Sequence, residues 1–135
     1  MTHLIRILFL LSLFTGGAPA VAAPAPPASA PPAPVHQGDR IAITFVSDVR
    51  DNGPTSWFDS LDRPRTQDRT VLVQPVTGAG LWTSTLVYTS RAPRQRLTAT
   101  LVSRGGFARC VVTVNDAVRD VRTVVRRGAR VTCAP

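Results

Sequence analysis

The only two cysteines of this chain, Cys110 and Cys133, are the residues best placed for covalent or metal chemistry. They bracket a valine-rich stretch that also carries several arginines. Three hypotheses explain such a segment: the cysteines form a disulfide, they belong to a metal or redox site, or the arginines between them bind an anionic partner. The rest of the sequence has to decide among these hypotheses.

A metal site is poorly supplied with ligands. A structural zinc ion takes four ligands from cysteine, histidine or carboxylate, and the only histidine beyond the first few residues is His36, which stands at the end of a proline-rich segment. A calcium loop needs alternating oxygen ligands and a late glutamate. Asp48, Asp51 and Asn52 do not have that spacing, and the chain contains no glutamate. We therefore interpret these aspartates as turn formers and arginine partners, and predict neither a metal nor a cofactor.

Catalytic groups are equally scarce. A nucleophilic triad needs a base held beside its nucleophile by a third group, and His36 stands outside the predicted folded core. Asp59 with Asp62, or Asp116 with Asp120, would supply the carboxylate pair of a glycoside hydrolase. Half of the aspartates stand beside turn residues, however, where their carboxylates are expected to accept backbone hydrogen bonds. The sequence therefore predicts a protein that is not an enzyme.

Arginine is the third source of chemistry. All 16 basic residues are arginines, and with 8 acidic residues they give a formal net charge of +8. This surplus attracts anionic surfaces such as phospholipid headgroups or phosphorylated glycans, and a guanidinium group binds phosphate or carboxylate through two hydrogen bonds. The alternative is a solvated surface that also protects strand edges. The candidate anion-binding residues form two groups in the sequence: Arg91, Arg94 and Arg96, and then Arg119, Arg122, Arg126, Arg127 and Arg130.

The first 22 residues have the layout of a secretory signal peptide. A short positively charged start ending at Arg6 precedes the apolar run Ile7 to Phe14, and Ala20-Val21-Ala22 supplies a small-x-small cleavage site. The apolar run is short for a membrane span, which needs about 20 apolar residues. We predict a secreted or envelope protein cleaved after Ala22; the alternative is an uncleaved helix that anchors it in the plasma membrane. Export also argues against a nucleic-acid partner.

Residues 23–37 form a Pro/Ala-rich linker. Repeated proline fixes the backbone dihedral φ and removes backbone donors, so this segment favours an extended tether. The linker separates the signal peptide from a single domain, predicted at residues 38–135.

Short alternating runs predict an all-β domain. Ile41, Ile43 and Phe45 share one face of "IAITFV", which indicates a half-buried strand. The "DNGP" that follows and the later "DRPRTQD" are predicted turns, and "VNDAV" is a predicted tight Asn-Asp turn. The remaining predicted strands are "TSWFDSL", "RTVLVQPV", "LWTSTLVYTS", "RLTATLVS", "ARCVVTV" and "ARVTC". This set favours an immunoglobulin-like β-sandwich.

The strand pattern decides between the three roles of the cysteines. Cys110 shares its face with Val112 and Val114, and Cys133 shares its face with Ala129 and Val131. Both thiols are thus predicted to face the core. Buried cysteines on neighbouring strands of an exported protein form a disulfide far more often than a metal site, so we predict the Cys110–Cys133 disulfide.

The C-terminal "CVVTVNDAVRDVRTVVRRGARVTC" resembles the extracytoplasmic domain of the MmpS family of small mycobacterial membrane proteins. "IAITFVSDV" with "WFD", "LWTST" and "RLTATLVSRGG" are similar to earlier segments of that family, so that the likeness runs from about Ile41 to Cys133. It differs in two respects: family members keep an N-terminal transmembrane helix, and Leu81 stands where they have proline. The resemblance implies a non-enzymatic accessory of an RND-type exporter of the MmpL kind, which moves lipids or siderophores. The partner would then be that transporter or an anionic, siderophore-like or lipid amphiphile; the alternative is a free secreted module that binds an envelope polymer, a lipid or a host protein.

Overall fold

The computed structural model describes residues 16–28 and 30–135. Residues 16–28 are exposed and have no regular secondary structure, whereas residues 31–135 form one compact unit. Most of the predicted signal peptide, residues 1–15, lies outside the described residues. Within the described ranges, no helix has the length and apolar character needed to cross a membrane.

The described part of the chain is all-β, as the sequence predicts. Its strands, in chain order, are β1 (Arg40–Ser47), β2 (Asp51–Asn52), β3 (Thr55–Phe58), β4 (Pro64–Gln67), β5 (Thr70–Val71), β6 (Gln74–Val76), β7 (Leu81–Thr89), β8 (Ala99–Val102), β9 (Phe107–Val114), β10 (Ala117–Val125) and β11 (Arg130–Cys133). A five-stranded sheet has the order β10-β9-β1-β7-β6, a four-stranded sheet has the order β11-β8-β3-β4, and β2 pairs with β5. Every pairing is antiparallel.

Alternation along the strands builds the core. In β1, Ile41, Ile43 and Phe45 are buried, and the residues between them are only half-buried. The predicted alternation in "RLTATLVS" is confirmed as well, because Ala99 and Leu101 of β8 are fully buried. Side chains from the five-stranded and four-stranded sheets belong to one buried cluster. Each sheet therefore buries one face against the other.

The predicted disulfide is confirmed. Cys110 of β9 is bonded to Cys133 of β11, with a Cα–Cα distance of 6.0 Å, and both residues are fully buried. The bond links the five-stranded sheet to the four-stranded sheet. Closing a loop of this length stabilises the folded state by about 3 kcal/mol in the chain-entropy account.

Several strand boundaries differ from those predicted. The "DRPRTQD" segment contributes β4 instead of a simple bend, and "DNGP" contributes β2. The run "RTVLVQPV" is divided into β5 and β6, and at the break the backbone amide of Leu72 donates a hydrogen bond to the carbonyl of Arg50. The tight Asn-Asp turn is confirmed: Asn115 and Asp116 have φ values of 50° and 66°, which Asn and Asp tolerate better than most residues.

Candidate anion-binding surface

Three loops meet at the end of the domain where β1 finishes. They follow β1 (residues 48–50), join β8 to β9 (residues 103–106), and join β10 to β11 (residues 126–129). The amide of Gly128 donates a 2.9 Å hydrogen bond to the carbonyl of Gly105, and the amide of Ser103 donates a 2.7 Å bond to the carbonyl of Ala129. These bonds hold the second and third loops side by side.

Each of these loops carries exposed arginine side chains. We name the set formed by Arg50, Arg104, Arg126 and Arg127 the arginine loop surface. Within the described chain, none of these side chains pairs with a carboxylate. The guanidinium of Arg50 instead lies 5.7 Å from the ring centroid of Trp82. The surface therefore presents positive charge that the described residues leave without a directly bonded counter-charge.

A buried polar cluster fixes the backbone under this surface. The Ser47 hydroxyl is hydrogen-bonded to Asn52 Oδ1 and to the Ser103 hydroxyl, each at 2.9 Å, and all three residues are buried. The Asn52 amide donates to the carbonyl of Arg50 at 3.2 Å, and the backbone N–H of Arg104 donates to Asn52 Oδ1 at 3.4 Å. A single buried asparagine thus holds the backbone of two arginines, which restricts the positions that their side chains can reach.

The aspartates in and next to the first loop are already engaged. Asp48 accepts hydrogen bonds from the backbone amides of Gly106 and Phe107. A Cβ atom at Gly105 would collide with the Asp48 carboxylate, so a larger residue there would displace this side chain. Asp51 pairs with Arg69 at 2.6 Å.

The positive charges of two of these arginines reach the carboxylate of Asp51. The hydrogen bond from Arg69 lowers the pKa of Asp51 below its ordinary value, and the positive charges of Arg69, Arg50 and Arg104 lower it further. Arg50 and Arg104 come from different loops, yet both act on one carboxylate. The loops therefore concentrate positive charge at this end of the domain.

The first predicted arginine group lies at the opposite end, where the linker enters. Arg91 and Arg94 are exposed, but Arg96 is engaged by a carboxylate and an aromatic ring. Its Nε donates to both Asp62 oxygens at 3.2 and 3.1 Å, and its Cζ lies 4.0 Å from the centroid of the Phe58 ring. Arg96 therefore stabilises the fold and has little capacity left for an external anion.

The second predicted group is dispersed. Arg119 donates to the carbonyl of Ala33 at 3.0 Å, and Arg122 donates to Asp120 at 3.0 Å. Arg130 opposes Val102 on the four-stranded sheet and lines a separate cavity of about 290 Å³. Only Arg126 and Arg127 of this group belong to the arginine loop surface. The sequence analysis did not include Arg50 and Arg104 among the candidate residues. For Arg104 the sequence does contain a signal, because Arg104, like Arg127, directly precedes a glycine in a turn.

The entry of the linker forms a cavity of about 280 Å³. It is lined by Ala33, Val35, Arg96 and Arg119 among others, which brings together one arginine from each predicted group. Both arginines already donate hydrogen bonds within the chain. Val35 is buried, and its carbonyl accepts a 3.1 Å hydrogen bond from the amide of Gln95. The residues that line this cavity therefore hold the linker against the domain, and its two guanidinium groups are already engaged within the chain.

No group of three or more His, Cys, Asp or Glu side chains suited to holding a metal ion occurs in the described ranges. No known protein-family model matches the chain, and comparisons with curated proteins and with solved structures find no significant similarity.

Proposed function

We propose that this chain is an exported, non-enzymatic binding protein that contacts anionic lipid headgroups of the cell envelope through its arginine loop surface. The observation that supports this function is the convergence of Arg50, Arg104, Arg126 and Arg127 on loops that are joined by backbone hydrogen bonds and by hydrogen bonds to the Asn52 side chain. Arginines whose backbone is held in this way bind phosphate with less loss of backbone entropy than arginines on mobile loops.

The position of the surface fits this role. The linker enters beside Val35, near the first residue of β1, whereas Arg50 follows the last residue of β1. An eight-residue strand spans about 25 Å. A tethered domain of this kind can contact a headgroup layer with one end while its linker leaves from the other.

The finer architecture that we propose is an immunoglobulin-like β-sandwich. Two sheets share one core, and the Cys110–Cys133 disulfide joins them, as an inter-sheet disulfide does in antibody domains. The resemblance to the MmpS family extends the proposal to an accessory of an MmpL-type exporter that presents a lipid or siderophore-like amphiphile. In that role, the arginine loop surface would hold the anionic head of the cargo or of the surrounding lipid.

A released and a membrane-anchored form of the protein would act in different places. The exposed Pro/Ala-rich segment of residues 16–28 suits a linker in either form. Intact-mass measurement of the protein from membrane and medium fractions separates the two forms. A species that starts at Ala23 would favour the free secreted module, and a species that retains Met1 or Thr2 would favour the transporter accessory.

Binding to lipid vesicles tests the proposed function. The purified, oxidised chain is titrated with vesicles of phosphatidylglycerol and phosphatidylcholine, and with phosphatidylcholine alone. We expect binding to the anionic vesicles only, weakening as salt is added. The triple variant Arg104→Ala, Arg126→Ala, Arg127→Ala should bind about a hundredfold more weakly, at about 1 kcal/mol per arginine near the membrane surface.

The matched control removes the same charge from the other end of the domain. Arg63→Ala, Arg91→Ala, Arg94→Ala also deletes three exposed arginines, and none of these side chains donates a hydrogen bond within the described residues. We expect the affinity of this variant for anionic vesicles to fall by less than about threefold, because only the long-range attraction of the net charge is reduced. Equal weakening in both variants would mean that net charge alone drives binding, and the proposed surface would be abandoned.

A further inference from the structure

In the described part of the chain, the edges of the five-stranded and four-stranded sheets are protected, with one exception. β10 is interrupted by a bulge between Val118 and Asp120 and carries Arg119, Asp120 and Arg122. β6 and β4 are short and contain Pro75 and Pro64, respectively, and β11 is also short. Bulges, charges, proline and short length are the features that prevent an edge strand from pairing with another chain.

The exception is the second half of β7. β6 pairs only with Leu81–Thr83, and in the described structure the following segment Thr85–Thr89 pairs with β1 alone. This segment contains no charged residue, no proline and no bulge. Leu86 and Val87 are 38% and 47% exposed, respectively. Its outer edge therefore presents unpaired backbone groups beside exposed apolar side chains.

The sequence of this edge is self-complementary. Thr85–Thr89 reads Thr-Leu-Val-Tyr-Thr. In an antiparallel pair of two copies centred on Val87, threonine faces threonine, leucine faces tyrosine and valine faces valine. Pairs of β-branched residues and of aromatic with aliphatic residues favour strand pairing. A two-fold axis through Val87 satisfies the rule that a symmetric interface uses the same patch on both chains.

Charge favours a second copy of the chain as the occupant. With a net charge of +8, two copies repel each other wherever arginines face arginines. The edge Thr85–Thr89 is neutral, so two copies can approach there without opposing arginines. An acidic partner, in contrast, would be drawn to the arginine-bearing ends.

We propose that Thr85–Thr89 is a homodimerisation edge, at which two copies pair antiparallel and join their five-stranded sheets into one continuous sheet. Because β6 already pairs with β7 as far as Thr83, the free edge begins after that residue, and the pairing is limited to a short segment. So small an interface lies below about 1,200 Å² of buried surface, the range of weak or transient association. This inference does not depend on the proposed function.

Sedimentation velocity of the purified, oxidised full chain, from micromolar to millimolar concentration, tests the proposal. We expect reversible dimers that strengthen as salt is added, because salt screens the repulsion between cationic copies. Val87→Lys places two ammonium groups across the two-fold axis and should raise the dissociation constant by at least about tenfold.

Val121→Lys is the matched control. Val121 lies on β10 at the opposite edge of the same sheet and is 49% exposed, close to the value for Val87, so the two variants add the same charge at similarly exposed positions. We expect it to leave the dissociation constant within about threefold of the original. A chain that stays monomeric at millimolar concentration would overturn the proposal. Equal weakening by the two substitutions would also overturn it, because the outer sheet face would then be the interface.

Discussion

Each end of the domain is organised around one buried amide side chain, yet the two ends treat arginine differently. At the linker end, Gln95 accepts a hydrogen bond from the Ser90 hydroxyl at 2.9 Å and donates to the carbonyls of Asp59 and Arg96 at 3.0 and 3.1 Å. At the loop end, Asn52 holds Ser47 and the backbone of two arginines. Both amides satisfy buried polar groups that would otherwise destabilise the fold.

The difference lies in the carboxylates. At the linker end, Asp62 pairs with Arg96 and Asp59 pairs with Arg65. At the loop end, Asp48 is taken by backbone amides and Asp51 by Arg69, so the four arginines of the surface have no carboxylate partner in the described chain. Arg96 and Arg65 therefore serve structure at the linker end, whereas no arginine of the arginine loop surface is engaged by a carboxylate in the described chain.

The largest expected effect is a loss of stability of the whole domain. It tests whether the folding of both ends depends on the same core. Removing the disulfide by Cys110→Ala with Cys133→Ala should lower the free energy of unfolding by about 4 kcal/mol, since loop entropy and buried contacts are both lost. Hydrogen exchange of the Ser90 and Ser103 amides, one at each end, reports the two ends separately. We expect both amides to lose protection together; loss at only one end would show that the ends unfold independently.

A smaller effect separates the two amides. Asn52→Ala should destabilise the fold by about 3 kcal/mol and Gln95→Ala by about 2 kcal/mol, because each leaves buried polar groups unpaired. The binding outcome should differ: Asn52→Ala weakens the binding of anionic vesicles at a temperature where the variant is folded, and Gln95→Ala does not. If both variants bind as well as the original chain, Asn52 does not position the arginines.

The smallest expected effect is on the pKa of one side chain at the linker end, the hydroxyl of Tyr88. Burial raises the pKa of Tyr88 to about 12, and the negative charges of Asp59 and Asp62 contribute to the shift. Because the folded pKa lies above the unfolded value of about 10, this group stabilises the fold fully below pH 10, and the contribution is lost as the pH rises through 12.

The chain contains one tyrosine, so phenolate absorbance reads this titration directly. Asp59→Asn with Asp62→Asn should lower the apparent pKa of Tyr88, whereas Arg104→Ala at the other end should leave it unchanged. An equal response to both substitutions would remove the electrostatic distinction between the two ends.

Local pattern predicted the core strands well. The alternation around Ile43 and the shared face of Cys110 with Val112 need only neighbouring residues, and the structure confirms both. β4 could not be recognised, because its residues are all exposed and it is a strand only through pairing with β3. The break at Leu72 also depends on a contact outside the segment, since the Leu72 amide donates a hydrogen bond to the carbonyl of Arg50.

The candidate site was predicted less completely. Sequence proximity grouped Arg119 and Arg122 with Arg126 and Arg127, but the bulge and Asp120 give the first two other partners. Arg50 and Arg104 are linked through the side chain of Asn52, which bonds to the nearby Arg50 and to Arg104, a residue distant in the sequence. Contacts of that kind depend on strand pairing, which short sequence patterns do not specify.

The path from the linker into the sheet also determines how the domain bears mechanical load. A pull on the linker passes through the buried Val35 and reaches the sheet at β1. β1 is hydrogen-bonded on both sides, to β7 and to β9, along nearly its whole length. Tension along the strand therefore acts on both ladders in shear and loads their hydrogen bonds together, whereas a tether attached to an edge strand would peel bonds away one after another.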